Sequence, residues 1–501
     1  MNKTEDFKAG FSAILLLIVF CGTSVNAQDK NRWVNGFADD STFFPIAVWL
    51  QNPSFAVEYL STGVNLQIGL WQGPTERQLG MLKSAGLPVI CNQNSVALSS
   101  ASNDIIVGWL QHPDEPDNAQ KNDYGGWGPC VPTDTMISRY NEIRSADTTR
   151  PVIISLGQGT SYTDFPGRGT CASATWMYED YMKAADIVTF DIYPVTSKYE
   201  MVQGNLWYVP RGVDNLRNWG DDSKPIWAWI ETTHIKSPDT IKPTPDQVRA
   251  EVWMALIHGA RGFGYFCHEW VPTFNEHAWL DDPEMKAAIT EINAGVTALA
   301  PVLNAPALET GVTRELDDIY GIGIDMMVKH LDDTLYILTA GMEDFGSNGA
   351  TFNIQADTEI ASNVIVIGED RELELTDNSF HDEFDGYAIH LYKIGDVNRE
   401  DLITGLKDNF RVTNEMIRLD QNWPNPFSDR TTIAYELEAF AAVRLNIYNA
   451  SGQYITTLVN EMQLPGCHAV ELDASGMHSG LYLYQLKVGD QVLSGEMSVI
   501  K

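Results

Sequence analysis

Between Pro225 and Cys267 the chain reads PIWAWIE (225–231), then QVRAEVWMALIHG (247–259), then GFGYFC (262–267), and how these three runs are read decides the fold. The first and third are short, apolar and rich in aromatic residues, which suits strands buried in a parallel sheet. The middle run repeats apolar residues at spacings of three and four, the period of a helix. Two such strands joined by a helix form one strand–helix–strand unit. Working outward, the same alternation recurs in FPIAVWL (44–50), VNLQIGL (64–70), LPVICN (87–92), IIVGWLQ (105–111), PVIISL (151–156) and DIVTFDIY (186–193), with a further helix expected at Thr135–Ala146. Eight such runs between Phe44 and Ala300 match the size of a (β/α)8 barrel. A doubly wound open sheet uses the same unit but usually opens on a Gly-rich phosphate turn, and none follows the first run. The expected fold class is α/β, a (β/α)8 barrel over residues 28–300.

Past Pro301 the texture changes. ETGVTREL, DMMVKHL, TLYILTAG, VIVIGED, ELELTD and YAIHLYKI alternate with turn residues and without helices. Short period-two runs of this kind predict a small antiparallel β-sandwich over 301–395. The polar stretch 396–417 reads as a linker, and 418–501 is again short strands broken by Gly, Pro, Asn and Ser, a second sandwich. The full 501 residues suit about three domains at roughly 150 residues each.

Composition narrows the partners. The hydrophobic share of 44 % is that of a chain that buries cores. Against 67 Asp and Glu stand only 33 Lys and Arg, a formal net charge of −34. The cationic surface that nucleic acid or an anionic membrane needs is missing. The apolar run Phe11–Phe20 is too short to span a bilayer, and Val25-Asn26-Ala27 follows as a small-residue cleavage site, so residues 1–27 read as an export signal. Cys21 would suit a lipoprotein, but Phe20 stands where such sites want a small residue. Of the five later cysteines, Cys130 and Cys171 lie in Gly-rich loops where an oxidising compartment would let them pair, while Cys91 and Cys267 sit in apolar runs. No Cys/His spacing suggests zinc, and no cofactor or metal is expected.

The tail carries Gln421-Asn422-Trp423-Pro424-Asn425-Pro426-Phe427, then Thr431-Thr432-Ile433, Ile447-Tyr448-Asn449, Ser451-Gly452-Gln453 and Ser479-Gly480-Leu481-Tyr482. It resembles the C-terminal sorting domain of the type IX secretion system. The resemblance implies that the secretion machinery is a partner and that the protein is released from the cell or attached to its surface. The middle sandwich, through Gly368–Ile394, resembles the accessory domain that follows the barrel in many glycosidases.

In a (β/α)8 barrel, catalytic groups sit where strands end in the variable loops of one face. The fourth run ends in Gln111-His112-Pro113-Asp114-Glu115-Pro116-Asp117 and the seventh in Trp229-Ile230-Glu231-Thr232-Thr233-His234. Each puts a Glu at the rim. Cleavage of a glycosidic bond needs one carboxylic acid for the leaving oxygen and a second carboxylate for the anomeric carbon or a water. On these motifs the barrel resembles clan A of the glycoside hydrolases. The resemblance implies that Glu115 is the acid/base and Glu231 the nucleophile of a retaining mechanism. It also implies that Tyr193, in Asp191-Ile192-Tyr193-Pro194, bonds the nucleophile, and that Trp270 floors the site. The chain departs from the clan at Asp114, where Asn is usual, and at Leu70-Trp71, where an Arg is usual. Both departures bear on the grip of the sugar's 2-hydroxyl. Glu269 and Asp191 are the rival carboxylates, and His112, His234 and His268 stand at strand ends where they can orient carboxyls or sugars.

Thirteen of the fourteen Trp fall between Trp33 and Trp279, in the barrel region. Sugar rings lay apolar C–H faces on flat aromatics, so Trp71, Trp127 and Trp270 in rim loops suit a polysaccharide or oligosaccharide substrate. Trp109, Trp227 and Trp229 lie within strand runs and are expected in the core. The expected function is that of a secreted glycoside hydrolase acting on β-linked sugars, with Asp114, Tyr193, His234, Trp71, Trp127 and Trp270 binding substrate. The alternative keeps the barrel as a non-catalytic carbohydrate-binding surface protein.

Overall fold

The computed structural model describes residues 33–501, apart from 38–39, 163–164, 168–174, 236–240, 319–320, 345, 403–416, 420, 423, 438–440, 450–453, 464–465 and 489–490. The expected export signal and Cys171, the expected partner of Cys130, lie outside these residues.

Eight parallel strands close into a barrel: β1 (Ile46–Trp49), β2 (Leu66–Ile68), β3 (Val89–Cys91), β4 (Ile106–Leu110), β5 (Val152–Leu156), β6 (Ile187–Asp191), β7 (Ile226–Glu231) and β8 (Gly262–Phe266). Each falls inside one of the eight apolar runs. The ring closes where Ile46 of β1 pairs with Phe263 of β8. Helices α1 (Ala56–Ser61), α2 (Glu76–Ala85), α3 (Ser95–Ser99), α4 (Thr133–Ala146), α5 (Tyr178–Tyr181), α6 (Tyr208–Trp219), α7 (Pro245–Ile257) and α8 (Pro283–Ala298) surround it. Local chemistry sets their starts. Thr75 and Thr244 each accept the backbone N–H three residues on and are answered by Gln78 and Gln247, so α2 and α7 begin on capping boxes.

The barrel interior is filled by Ala47, Trp49, Leu66, Ile68, Ile90, Leu110, Ile153, Ile187, Trp227 and Trp229. Two indoles on β7 leave little room on the adjacent strand, and β8 answers with glycines. A Cβ on Gly262 would lie 2.8 Å from the Trp227 ring, and one on Gly264 only 2.3 Å from the Trp229 ring. Trp109, Trp227 and Trp229 are buried, as their place within strands requires.

Helix α9 (Ala300–Asn304) leads into the second domain. There β9 (Ala307–Leu308), β10 (Val312–Leu316), β11 (Ile324–Leu331), β12 (Thr334–Gly341), β13 (Ser347–Ile354), β14 (Val364–Val366), β15 (Arg371–Leu373), β16 (Ser379–Asp385) and β17 (Ile389–Ile394) form two sheets. Their orders are β10-β13-β16 and β15-β14-β17-β12-β11-β9. The larger sheet is buried on both faces, and the period of two divides its residues. Leu335 and Ile337 of β12, with Tyr392 and Ile394 of β17, face the sandwich core. Leu338 and Ala340 of β12, with Ile389 and Leu391 of β17, belong to the same apolar cluster as Val248, Val252 and Ala255 of α7. Helix α7 is therefore apolar nearly all round, because it has the barrel on one side and the sandwich on the other.

The sandwich also runs further than the expected 395. Val397 and Leu402 are buried in its core, and Ala356 bridges to Leu402, so the boundary of the domain moves to Leu402 and shortens the expected linker from its N-terminal side. The tail then forms β18 (Ile417–Leu419), β19 (Arg430–Leu437), β20 (Ala441–Asn449), β21 (Tyr454–Gln463), β22 (Gly466–Asp473), β23 (Gly480–Val488) and β24 (Gln491–Val499). Its sheets have the orders β18-β19-β22 and β21-β20-β23-β24.

A charged clasp joins barrel and sandwich. His258, just past α7, has Nδ1 at 2.8 Å from Asp214 of α6 and Nε2 at 3.1 Å from Asp325 of β11. Arg314 of β10 lies 3.6 Å from the other Asp325 oxygen. Burial alone would push the His258 pKa down, but Asp214 and Asp325 outweigh it and lift it to about 10. Beside the clasp is a cleft of about 550 Å³ lined by Asp214, Arg217, His258, Arg314, Asp325 and Met326. It lies toward the C-terminal ends of α6 and α7, and hence at the opposite end of the barrel from the C-terminal ends of the strands.

Candidate active site

Glu115 follows β4 with its backbone held by three hydrogen bonds. Its N–H donates to Ser155 O at 3.0 Å, and its carbonyl accepts from Asn118 N at 3.0 Å and from Gln120 Nε2 at 2.8 Å. Its φ of +46° is in the left-handed region, which a non-glycine residue enters at a cost that surrounding bonds must offset. The side chain is half-buried; Asn118 Nδ2 donates to its Oε2 at 3.3 Å, and Gly157 past β5 leaves room beside it. Two residues on, Asp117 accepts from Gly157 N at 2.9 Å and from the Tyr178 hydroxyl at 2.9 Å. Burial, reinforced by the nearby charge of Glu115, pushes the Asp117 carboxyl up to about 6 although both donors pull it down. The sequence places Asp117 within the Glu115 motif but carries no local sign of this role.

On β6, Ile187 lines the barrel interior and Thr189 accepts from Trp229 Nε1 within it, so by alternation Asp191 is on the inward side at the mouth. Tyr193 packs on Phe266 with ring centres 5.1 Å apart. Its hydroxyl is held well above the usual phenol range by burial and then by the charges of Asp191, Glu115, Asp114 and Glu231. Four of the carboxylates considered from sequence thus gather around one tyrosine.

Glu231, at the end of β7, is wholly enclosed. Its Oε1 accepts from Val195 N at 2.5 Å and its Oε2 from Thr196 N at 2.9 Å, both on the segment after β6. Behind it lies Glu251 of α7, also wholly buried. Burial raises the Glu231 carboxyl above the usual range, against the pull of the donors on Thr196 and Val195.

The mouth is aromatic where β2 and β8 end. Trp71 after β2 is 42 % exposed, and Trp270 and Phe274 after β8 are 37 % and 52 % exposed. His268 is packed among them, stacked on Trp71 at 5.5 Å and edge-on to Trp270 at 5.4 Å. Burial pushes its pKa down to about 4, so at neutral pH it is an uncharged ring, with Nε2 at 3.2 Å from Leu50 O. Trp270 stacks on Phe266 and so continues to Tyr193. Trp71 Nε1 donates to Glu276 at 2.9 Å, which sets the tilt of its ring. His234 is half-buried past β7. Trp127 is carried on an excursion of the β4–α4 loop that a bridge to Lys121 closes. Leu70 and Trp71 follow β2, which ends at Ile68.

Residues 421–501 match the family model for the secretion system C-terminal sorting domain. The tail is a sorting domain. It directs the chain through the type IX system to the cell surface or the medium, in line with its motifs. Among the described residues no helix is long and apolar enough to cross a membrane. No curated protein matches the sequence. Among solved structures, AmyP in complex with maltotriose is similar over 75 % of this chain and 100 % of that one, at 9 % identity and a TM-score of 0.43. A family 39 glycoside hydrolase from the gut symbiont Bacteroides cellulosilyticus is similar over 71 % and 82 %, at 11 % identity and a TM-score of 0.42. The endo-beta-1,4-mannanase from Thermotoga petrophila is similar over 93 % and 99 %, at 9 % identity and a TM-score of 0.36. Likeness at this level says nothing of substrate or reaction, which must be argued from the mouth of the barrel itself.

Proposed function

We propose that the barrel is a glycoside hydrolase that cleaves β-linked bonds of a polysaccharide or oligosaccharide outside the cell, with retention. The observation that carries this reading is that Asp114, Glu115, Asp191 and Glu231 lie near enough for their charges to act on Tyr193, which connects through Phe266 to an exposed aromatic ledge. The ledge of Trp71, Trp270 and Phe274 offers flat faces to sugar C–H groups, and the carboxyls offer the acid and the nucleophile. In the first step Glu115 gives its proton to the leaving oxygen while a Glu231 oxygen bonds the anomeric carbon. In the second, Glu115 takes a proton from water, whose oxygen displaces Glu231 from that carbon. Asp114 and Tyr193 line the sugar beside them.

A specific observation favours a second assignment within the same reaction. Glu231 is enclosed with both oxygens committed to backbone N–H groups, and it must turn from them to attack, whereas Asp191 is partly exposed on the inward side of β6. Azide separates the two. Glu231→Gly with azide should yield a glycosyl azide of inverted configuration, and Glu115→Ala with azide one of retained configuration. Rescue of Asp191→Gly in place of Glu231→Gly would move the nucleophile to Asp191. Product of inverted configuration from the unaltered protein would end the double-displacement reading. Binding of glycans without release of reducing ends from any would make the barrel a carbohydrate-binding protein.

A further inference from the structure

Glu251 is a carboxyl in the middle of α7, in a helix whose other buried positions include Val248, Ala250, Val252, Trp253, Met254 and Ala255. It has no exposed surface, and neither oxygen has a hydrogen-bond donor among the described residues. Its carboxyl faces that of Glu231. An ionised carboxylate in such a place is far more costly than a neutral one, and two ionised carboxylates in contact are costlier still. One proton must therefore sit between them. Its owner follows from the donors. Glu231 has the N–H groups of Val195 and Thr196, which favour its charged form, whereas on Glu251 only the Glu231 backbone N–H acts, outside hydrogen-bonding geometry.

We propose that Glu251 is a positioning residue that keeps its proton at neutral pH and donates it in a hydrogen bond to Glu231. Glu231 is then the ionised member, held by three donors together with the Val195–Thr196 segment. As far as it concerns catalysis, this rests on the reading of Glu231 given above. The shared proton itself does not depend on that reading.

The surroundings agree. The titratable groups facing the pair are Tyr193 from the segment after β6, which feels the charge of Glu231, and Tyr387 from the turn between β16 and β17, which feels that of Glu251. Neither is a cation that could take over the charge. Burial and then the charge of Glu231 hold the Glu251 carboxyl well above the usual range. Tyr387 also shows the wider arrangement that the pair belongs to. Its hydroxyl donates to Gly204 O at 2.6 Å and accepts from Leu206 N at 3.3 Å. The segment 192–207, which bears Tyr193, is thus pinned near one end by the carboxyl pair and near the other by the sandwich. Above neutrality, loss of the shared proton would leave two facing carboxylates and loosen the first pin.

Infrared difference spectroscopy on the full-length protein at neutral pH tests this. The unaltered protein should show the carbonyl stretch of a protonated buried carboxyl, fading only as pH rises above neutrality. Glu251→Gln, which keeps the shape and an N–H donor, should lose that band, and Glu115→Gln should keep it. Absence of the band from the unaltered protein, a measurement that needs no variant to fold, overturns the proposal; so does its persistence in Glu251→Gln. With substrate, Glu251→Ala, which removes the donor, should shift the acid limb of kcat/KM to higher pH, because the charge on Glu231 loses a hydrogen bond, and Glu251→Gln, which keeps a donor, should restore it. A uniform fall in kcat with an unmoved pH profile would mean a merely structural role and overturn it. If the band behaves as expected but azide does not rescue Glu231→Gly, the pair stands and the nucleophile reading falls. If rescue succeeds and the band stays in Glu251→Gln, only the pair falls.

Discussion

Replacing His258 by Gln should uncouple the protein's stability from pH between about 6.5 and 10. The imidazolium is clamped by Asp214 at 2.8 Å and Asp325 at 3.1 Å and is nearly buried, with 11 % of its side chain exposed. Its pKa rises from 6.5 to about 10. At about 1.36 kcal/mol per pH unit, that lift corresponds to about 5 kcal/mol of stability as an upper bound. The sign follows from where the proton is held. The folded protein binds it more tightly, so the contribution is complete below pH 6.5 and is lost as pH rises through 10. Glutamine keeps one hydrogen bond but no charge, and leaves two carboxylates facing a neutral amide, with Arg314 near Asp325 alone. Breaking a buried pair in this way costs about 3–5 kcal/mol. Urea unfolding of both proteins at several pH values, followed by tryptophan fluorescence, reads this out. The gap in unfolding free energy should be largest at pH 6 and close toward pH 10.5. A gap that stays constant over the range would refute the clasp as a source of stability.

The mouth and the tail give further expected outcomes. Glu115→Gln should lower release of reducing ends by about 10²–10⁴-fold, as loss of a positioned proton donor does, with an unchanged melting temperature. Trp71→Ala and Trp270→Ala should each weaken glycan binding by about 1 kcal/mol, a several-fold loss of mobility shift in affinity electrophoresis, because each removes a stacking face. A chain ending just after Leu402 should stay active in the test tube yet fail to appear at the cell surface or in the medium, as fractionation and immunoblotting would report.

The barrel was legible because its strands are buried on both faces, so each stands out as an uninterrupted apolar run such as PVIISL or PIWAWIE. Strands β13 and β16 were not. In SNGATFNI the buried positions include Asn348, which donates to Asp318 O and Ile322 O, and in SFHDEFD they include Asp382, which pairs with Arg371. Polar groups satisfied only by distant parts of the chain hide the period of two. The rim carboxyls Glu115 and Glu231 could be found by their place after strands, and Tyr193 by its motif. That Glu231 is enclosed could not, since the donors come from the separate segment Val195–Thr196. Glu251 was written in plain view as the one acid past the first turn of a helix apolar nearly all round. Its meaning needed the second covering layer, which no local pattern announces.

That second layer also bears on how the molecule comes into being. A chain is made from its N-terminus, so α7 is synthesised before β12 and β17 exist to cover its outer side. Until then Val248, Val252 and their neighbours present the sort of apolar surface that draws chains together. The barrel is in this sense finished from outside and last. Cutting the gene at Pro301 to obtain a minimal barrel would fix the nascent chain at its stickiest stage, so the smallest soluble unit to express is the barrel together with its sandwich.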